Sequence, residues 1–189
     1  MALNRMLIIL TLASAVAFPS ASFSQDTANN SPPDWFLADL AAMTREGGRW
    51  IATNETRNDQ TPYDQYGLEW QLSPDGTSMT GRLFGIMDGR EVGDFWQFRQ
   101  FWHPQENRAY VMQWGGGGMY GVGVLTPLGA SSGMLEQTLY LPDGNTFGVG
   151  HMFRFDGPNA RVTEQYDILP EIGSWRLNHT LVWHRAPPA

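Results

Sequence analysis

From Gly48 onward the chain is punctuated by turn signals at a nearly regular interval. Ser73-Pro74-Asp75-Gly76, Asp88-Gly89, Pro142-Asp143-Gly144-Asn145 and Asp156-Gly157-Pro158-Asn159 combine residues that preset a reversal. Proline fixes φ, glycine accepts φ > 0, and Asp or Asn closes the turn through its side chain. The runs between them are roughly 7–11 residues long, the length of strands rather than of crossover helices. Strands are expected over 49–57, 65–72, 77–86, 95–103, 108–114, 119–126, 134–141, 146–155, 160–169 and 174–185. Tyr66, Leu68, Trp70 and Leu72 alternate with Gln65, Gly67, Glu69 and Gln71, the pattern of a strand with one buried face. About ten antiparallel strands joined by short hairpins favour an all-β, up-and-down barrel, because closure leaves no exposed edge.

One helix precedes the strands. Pro32-Pro33-Asp34 opens it, with Asp34 expected to cap the free amides, and it runs from Trp35 to about Glu46. Trp35, Leu37, Leu40, Ala41 and Met43/Thr44 give its apolar stripe, and Gly47-Gly48 ends it. A lone amphipathic helix must pack on something, so it is expected across one end of the strands. Before it, 1–24 reads as a signal peptide: Arg5, an apolar run from Met6 to Phe18, then small residues. That run is too short to span a bilayer, so the chain is expected to be exported, periplasmic or secreted, with no membrane span. Residues 25–31 read as a polar, disordered mature N-terminus, 32–186 as a single barrel domain, and 187–189 as a tail.

Composition removes several classes of function. The chain has no Cys, which rules out disulfides, thiol catalysis and thiolate metal sites. It has no Lys either; without the leader, eleven arginines face nineteen acids, a formal charge of −8. That charge opposes nucleic-acid binding, which depends on phosphate contacts. Two motif matches fail on structural context. Gly116-Gly117-Gly118-Met119-Tyr120-Gly121 fits a dinucleotide loop but leads into a strand, not a helix. Gly129-Ala130-Ser131-Ser132-Gly133 fits a nucleophile elbow, again with no helix after it. The glycine run reads instead as a flexible lip at a barrel rim.

Gly48-Arg49-Trp50, at the entry to the first strand, resembles the G-x-W that opens lipocalin-like barrels, and the ending Trp183-His184-Arg185 is similar to their closing strand. The chain thus resembles the calycins, nearest to uncharacterised exported members of that group. The resemblance implies that Arg185 stacks on Trp50 at a closed end and that the barrel holds a small molecule. It departs in strand number and in a shortened Thr163-Glu164-Gln165-Tyr166 where the family's second motif would fall.

Candidate site residues follow from the aromatic content. Eight Trp in one small domain is generous for packing alone. Trp50, Tyr66, Trp70, Trp96, Trp114 and Tyr166 are candidates to line a cavity for a flat or apolar ligand. His151 alternates in phase with Phe147, Val149, Phe153 and Phe155, and His179 with Trp175, Leu177, Leu181 and Trp183, so both imidazoles are candidates for the same cavity. Each could orient a ligand, take haem iron or move a proton, or simply be a hydrogen-bonded core residue. Glu164 could add a carboxylate acid or base beside His151. The leading expectation is binding of a small hydrophobic ligand without covalent chemistry, and with no resident cofactor or metal. An isomerase, dehydratase or cyclase using His151, His179 and Glu164 is the alternative, and an envelope interaction module the third. The sequence leaves the oligomeric state open.

Overall fold

The computed structural model describes residues 30–187. The leader lies outside the described residues, as do most of 25–31 and the last two residues of the tail.

Ten strands form one closed antiparallel barrel: β1 Arg49–Thr53, β2 Gln65–Leu72, β3 Ser78–Met87, β4 Arg90–His103, β5 Arg108–Gly115, β6 Tyr120–Gly129, β7 Ser132–Tyr140, β8 Thr146–Phe155, β9 Ala160–Leu169 and β10 Ser174–Arg185. Each strand pairs with its sequence neighbours, and β1 closes on β10 with Trp50 opposite Arg185 and Ala52 opposite Trp183. That closing ladder is short, with only Trp50, Ile51 and Ala52 opposite Arg185, His184 and Trp183, so it seals the barrel at the C-terminal end of β10. Four strands, over 65–72, 146–155, 160–169 and 174–185, run as the sequence indicates. The first is shorter than expected. It stops at Thr53 because Asn54 turns the chain, donating its amide to the carbonyls of Thr61 (3.1 Å) and Tyr63 (3.0 Å).

The glycine run is a tight hairpin rather than a long lip. Gly116–Gly118 make one 3-10 turn, and the Gly115 amide donates to the Met119 carbonyl at 2.8 Å. Gly117 and Gly118 take φ of 72° and 83°, which a side chain would resist. The Gly129–Gly133 segment links β6 directly to β7, so no strand-to-helix elbow exists there.

The helix α1, Asp34–Thr44, plugs one end of the barrel. Its buried residues are Phe36, Leu40 and Met43, spaced i, i+4, i+7, while Leu37 is exposed. Asp34 is the first helical residue and not the cap. Pro33 occupies that position and supplies only its carbonyl, to the amides of Phe36 and Leu37. A 3-10 turn at Arg45–Gly47 and a left-handed Gly48 end the helix. The apolar core sits at this end, where Phe36, Leu40 and Met43 meet Trp50, Trp70, Met79, Val111, Leu125, Phe153 and Trp183. Burial of the helix side chains at about 25 cal/mol per Å² is what holds a helix with no side-chain cap in place.

The Arg185 guanidinium lies 4.1 Å over the Trp50 ring. It also donates to the carbonyls of Ala42 (2.8 Å) and Pro158 (3.2 Å), binding the helix, β1 and the β8–β9 turn together. The Trp50 indole donates to Met43 O at 3.0 Å. Among the described residues no helix is long and apolar enough to cross a membrane.

Candidate functional site

Register fixes which residues enter the barrel. Leu68, Trp70, Met79 and Val111 belong to the core, so their cross-strand partners share the inner face. On β4 that face carries Trp96, Phe98, Gln100 and Trp102, with Arg99 and Phe101 outside. β4 carries rings on both faces, and register separates them. Its inner rings meet the lumen, and the helix packs on the end of that same face, where Trp102 lies 6.3 Å from the Trp35 ring.

Around the barrel the inner positions continue through Val111 and Gln113 on β5, Gly121 and Gly123 on β6, and Leu135 and Gln137 on β7. They then run through His151 and Phe153 on β8 and Arg161, Thr163 and Gln165 on β9, to His179, Leu181 and Trp183 on β10. Large rings find room because glycine faces them. A Cβ on Gly81 would come within 2.6 Å of the Trp70 ring, and one on Gly115 within 2.7 Å of Trp96.

Six of the eight expected ligand-binding residues therefore share the inner face: Trp50, Tyr66, Trp70, Trp96, His151 and His179. They are not equivalent. Trp50 is fully buried under α1 and committed to the closed end, whereas Trp70 stacks on Phe98 at 5.4 Å and an interplanar angle of 30°. Tyr66 packs with Phe95 and Tyr63.

Trp114 and Tyr166 lie on the outer face. Trp114 pairs with Gln97 and Tyr120 and is 44% exposed. Tyr166 is opposite Gly150, carries Trp175 at 5.7 Å, and donates its hydroxyl to Glu164 at 2.6 Å. Glu164 is thus outside as well, on the face opposite His151, and the expected His151–His179–Glu164 convergence does not form. The reason lies in β9, whose apolar phase (Val162, Tyr166, Ile168) points outward and whose polar phase (Arg161, Thr163, Gln165) points inward. A bulge at Asn178 also breaks the phase expected of β10: Trp175 and Leu177 are outside, opposite Ile168 and Tyr166, while His179, Leu181 and Trp183 are inside.

The inner face holds a polar belt that the aromatic count did not reveal. Gln100, Gln113 and Gln137 are buried. From the helix, Asp39 reaches in and accepts a hydrogen bond from Gln100 Nε2 at 2.8 Å. Burial holds the Asp39 carboxyl above the usual carboxylate range, opposed by the charge of Arg161 and the Gln100 bond. Arg161 is enclosed by protein, with its guanidinium 4.3 Å over Phe153 and 5.8 Å from Phe155. By accessible surface the residue is only half-buried, as are His151 and Thr163.

Among the described residues, the buried side-chain polar atoms without a hydrogen-bond partner include Trp70 Nε1, Gln137 Oε1, His151 Nδ1, Arg161 Nε and Thr163 Oγ1. All five belong to inward-facing residues. Burial pushes the His151 imidazole down to about 4, with Arg161 adding to the effect, and pushes His179 down as well. Both rings are then neutral at pH 7, able to donate from one nitrogen and accept at the other. No group of three His, Asp or Glu among the described residues is placed to hold a metal ion.

A cleft of about 310 Å³ opens at the helix end between α1 and the β6–β7 turn. Trp35, Asp39, Pro127, Ser132, Phe153 and Phe155 line it, so it reaches both the inward carboxyl and the ring pair beneath Arg161. Phase on β9 would place Arg161, Thr163 and Gln165 outside, so only the ladder brings them in. Asp39, one position from Leu40 on the apolar stripe, was the signal on the helix.

Comparison with protein-family models finds no match, and comparison with curated proteins finds no relative.

Proposed function

We propose that the chain is a calycin-like binding protein whose lumen receives a small molecule with an apolar or aromatic body and polar groups. The observation that carries this reading is the set of inward polar atoms on Trp70, Gln137, His151, Arg161 and Thr163 that are buried without partners. A buried donor or acceptor left unsatisfied costs about 1–3 kcal/mol, so five of them facing one interior are better explained by a guest or bound water than by packing. Phe153 and Phe155, beneath Arg161 and on the wall of the helix-end cleft, supply apolar surface beside them. An export leader is part of the same proposal: a ligand carrier of this kind would work outside the cytoplasm.

Binding without covalent chemistry is the better reading of the geometry. Two neutral imidazoles share the interior, but Glu164, the carboxylate expected to join them, lies outside, and the inward carboxyl of Asp39 is engaged by Gln100. Native mass spectrometry of gently purified protein, joined to an absorption spectrum, tests the proposal. A stoichiometric small molecule, haem included, or saturable tryptophan quenching by added ligands supports it. Protein that carries nothing and shows no saturable response to lipids or aromatics argues against it.

A further inference from the structure

We infer that the barrel interior takes a monoanionic amphipath, its carboxylate or similar oxyanion seated on the Arg161 guanidinium and its apolar body in the helix-end cleft beside Trp35, Phe153 and Phe155. This rests on the lumen being a binding site and adds the charge of the guest.

The argument is one of charge balance. An arginine keeps its charge at any ordinary pH, and a buried charge is stable only when paired. Among the described residues Arg161 takes part in no ion pair within 4.0 Å. Its Nε has no hydrogen-bond partner. Asp39 acts on it through space, but that carboxylate already accepts a bond from Gln100 and burial favours its neutral form. The Phe153 and Phe155 faces relieve part of the cost, since a guanidinium is attracted to a ring face.

The neighbouring groups suit an oxyanion better than a cation. Thr163 lies two residues along the same face of β9, with a hydroxyl free to donate. His151 is close enough for the charge of Arg161 to act on it, and its unpartnered Nδ1 can carry a proton toward an acceptor. The planar guanidinium fork matches a carboxylate through two parallel hydrogen bonds, a match an alcohol or amine cannot make.

The test is tryptophan-fluorescence titration of the full chain with two acids, decanoate and 2-naphthoate, and with their alcohols, decanol and 2-naphthalenemethanol. Each acid should bind roughly 10- to 100-fold more tightly than its alcohol, the range expected of a buried charge-assisted hydrogen bond. Arg161→Met should reduce the acids to the affinity of the alcohols and leave the alcohols unchanged. Arg161→Lys keeps the charge without the fork, so it should show a weakened preference, and it serves if the Met variant does not fold. Acids and alcohols binding the parent equally would overturn the anion site and leave the binding reading intact. A preference that survives Arg161→Met, or is undiminished in Arg161→Lys, overturns the assignment to the guanidinium. Binding of none of the four overturns both.

Discussion

His151 and Arg185 show how much one side chain's surroundings decide. His151 is buried and its folded pKa falls to about 4, below the unfolded value of 6.5. A histidine with a depressed folded pKa contributes stability that is fully present above 6.5 and is lost as pH falls toward 4, because the unfolded chain binds the proton more readily. Burial works on Asp39 in the opposite sense: its raised carboxyl gives stability at low pH that is lost as pH rises through its folded value. The two overlap in the parent protein, so the difference between parent and His151→Gln isolates the histidine. Urea unfolding at pH 7 and pH 4 should show the variant losing up to about 3 kcal/mol less than the parent over that interval. Equal losses would mean that the imidazole is not held neutral. Arg185→Ala removes a cation–π contact and the hydrogen bonds to Ala42 and Pro158 together, and should cost about 2–4 kcal/mol by the same measurement. Arg185→Lys should recover only part of this, since a point charge cannot reach several carbonyls as the fork does.

At the scale of the element, α1 and the strands hold by different means. The helix has no side-chain cap, and its position depends on Phe36, Leu40 and Met43 in the barrel end. Leu40→Ala should therefore destabilise by about 2–5 kcal/mol and loosen the helix, visible as faster amide exchange across 34–44. Strands instead depend on glycine facing aromatic rings. Gly81→Ala places a methyl against the Trp70 ring and should cost about 1–3 kcal/mol, whereas Gly116→Ala, with open space around its Cβ, should be nearly neutral. Similar losses for the two in thermal unfolding would contradict this view of the wall.

At the scale of the whole molecule, closure is the organising fact. β10 covers β9 along its length and closes on β1, so a chain cut after Leu169 would expose the edges of both β1 and β9. Such a truncation should elute as oligomers or aggregate in size-exclusion chromatography, while the full barrel shows no such edge-driven assembly. The outer face also carries a network in which Arg82 pairs with Glu69, Glu91 and Asp94, and Arg49 pairs with Glu91. Between the two arginines Phe84 is fully buried although it faces outward, because their guanidinium carbons lie 5.1 and 4.2 Å from its ring centre. A hydrophobic residue on the outside is thus covered by charged side chains rather than by the core, which is why burial and inward direction cannot be equated in this barrel.

That Arg185 meets Trp50 was implied only by the resemblance to lipocalin-like barrels; where the chain turns, how many strands result and that they close as an up-and-down barrel were legible in the sequence alone. These are local or period-two properties, carried by Pro, Gly, Asp and Asn at the turns and by alternation between them. Only the tertiary structure decided which alternate faces in. On β9 both phases mix polar and apolar residues, so Arg161 could be assigned to the inside only through its register with Phe155 and Trp183. On β10 the bulge at Asn178 reverses the phase partway along the strand, sending Trp175 out and His179 in. A strand's own pattern is blind to such a shift, because facing is a property of the ladder and not of the strand. The polar belt followed from that facing: the same arginine that reads as one more surface charge in the sequence becomes, through register, an enclosed cation beside unpartnered donors in an aromatic lumen.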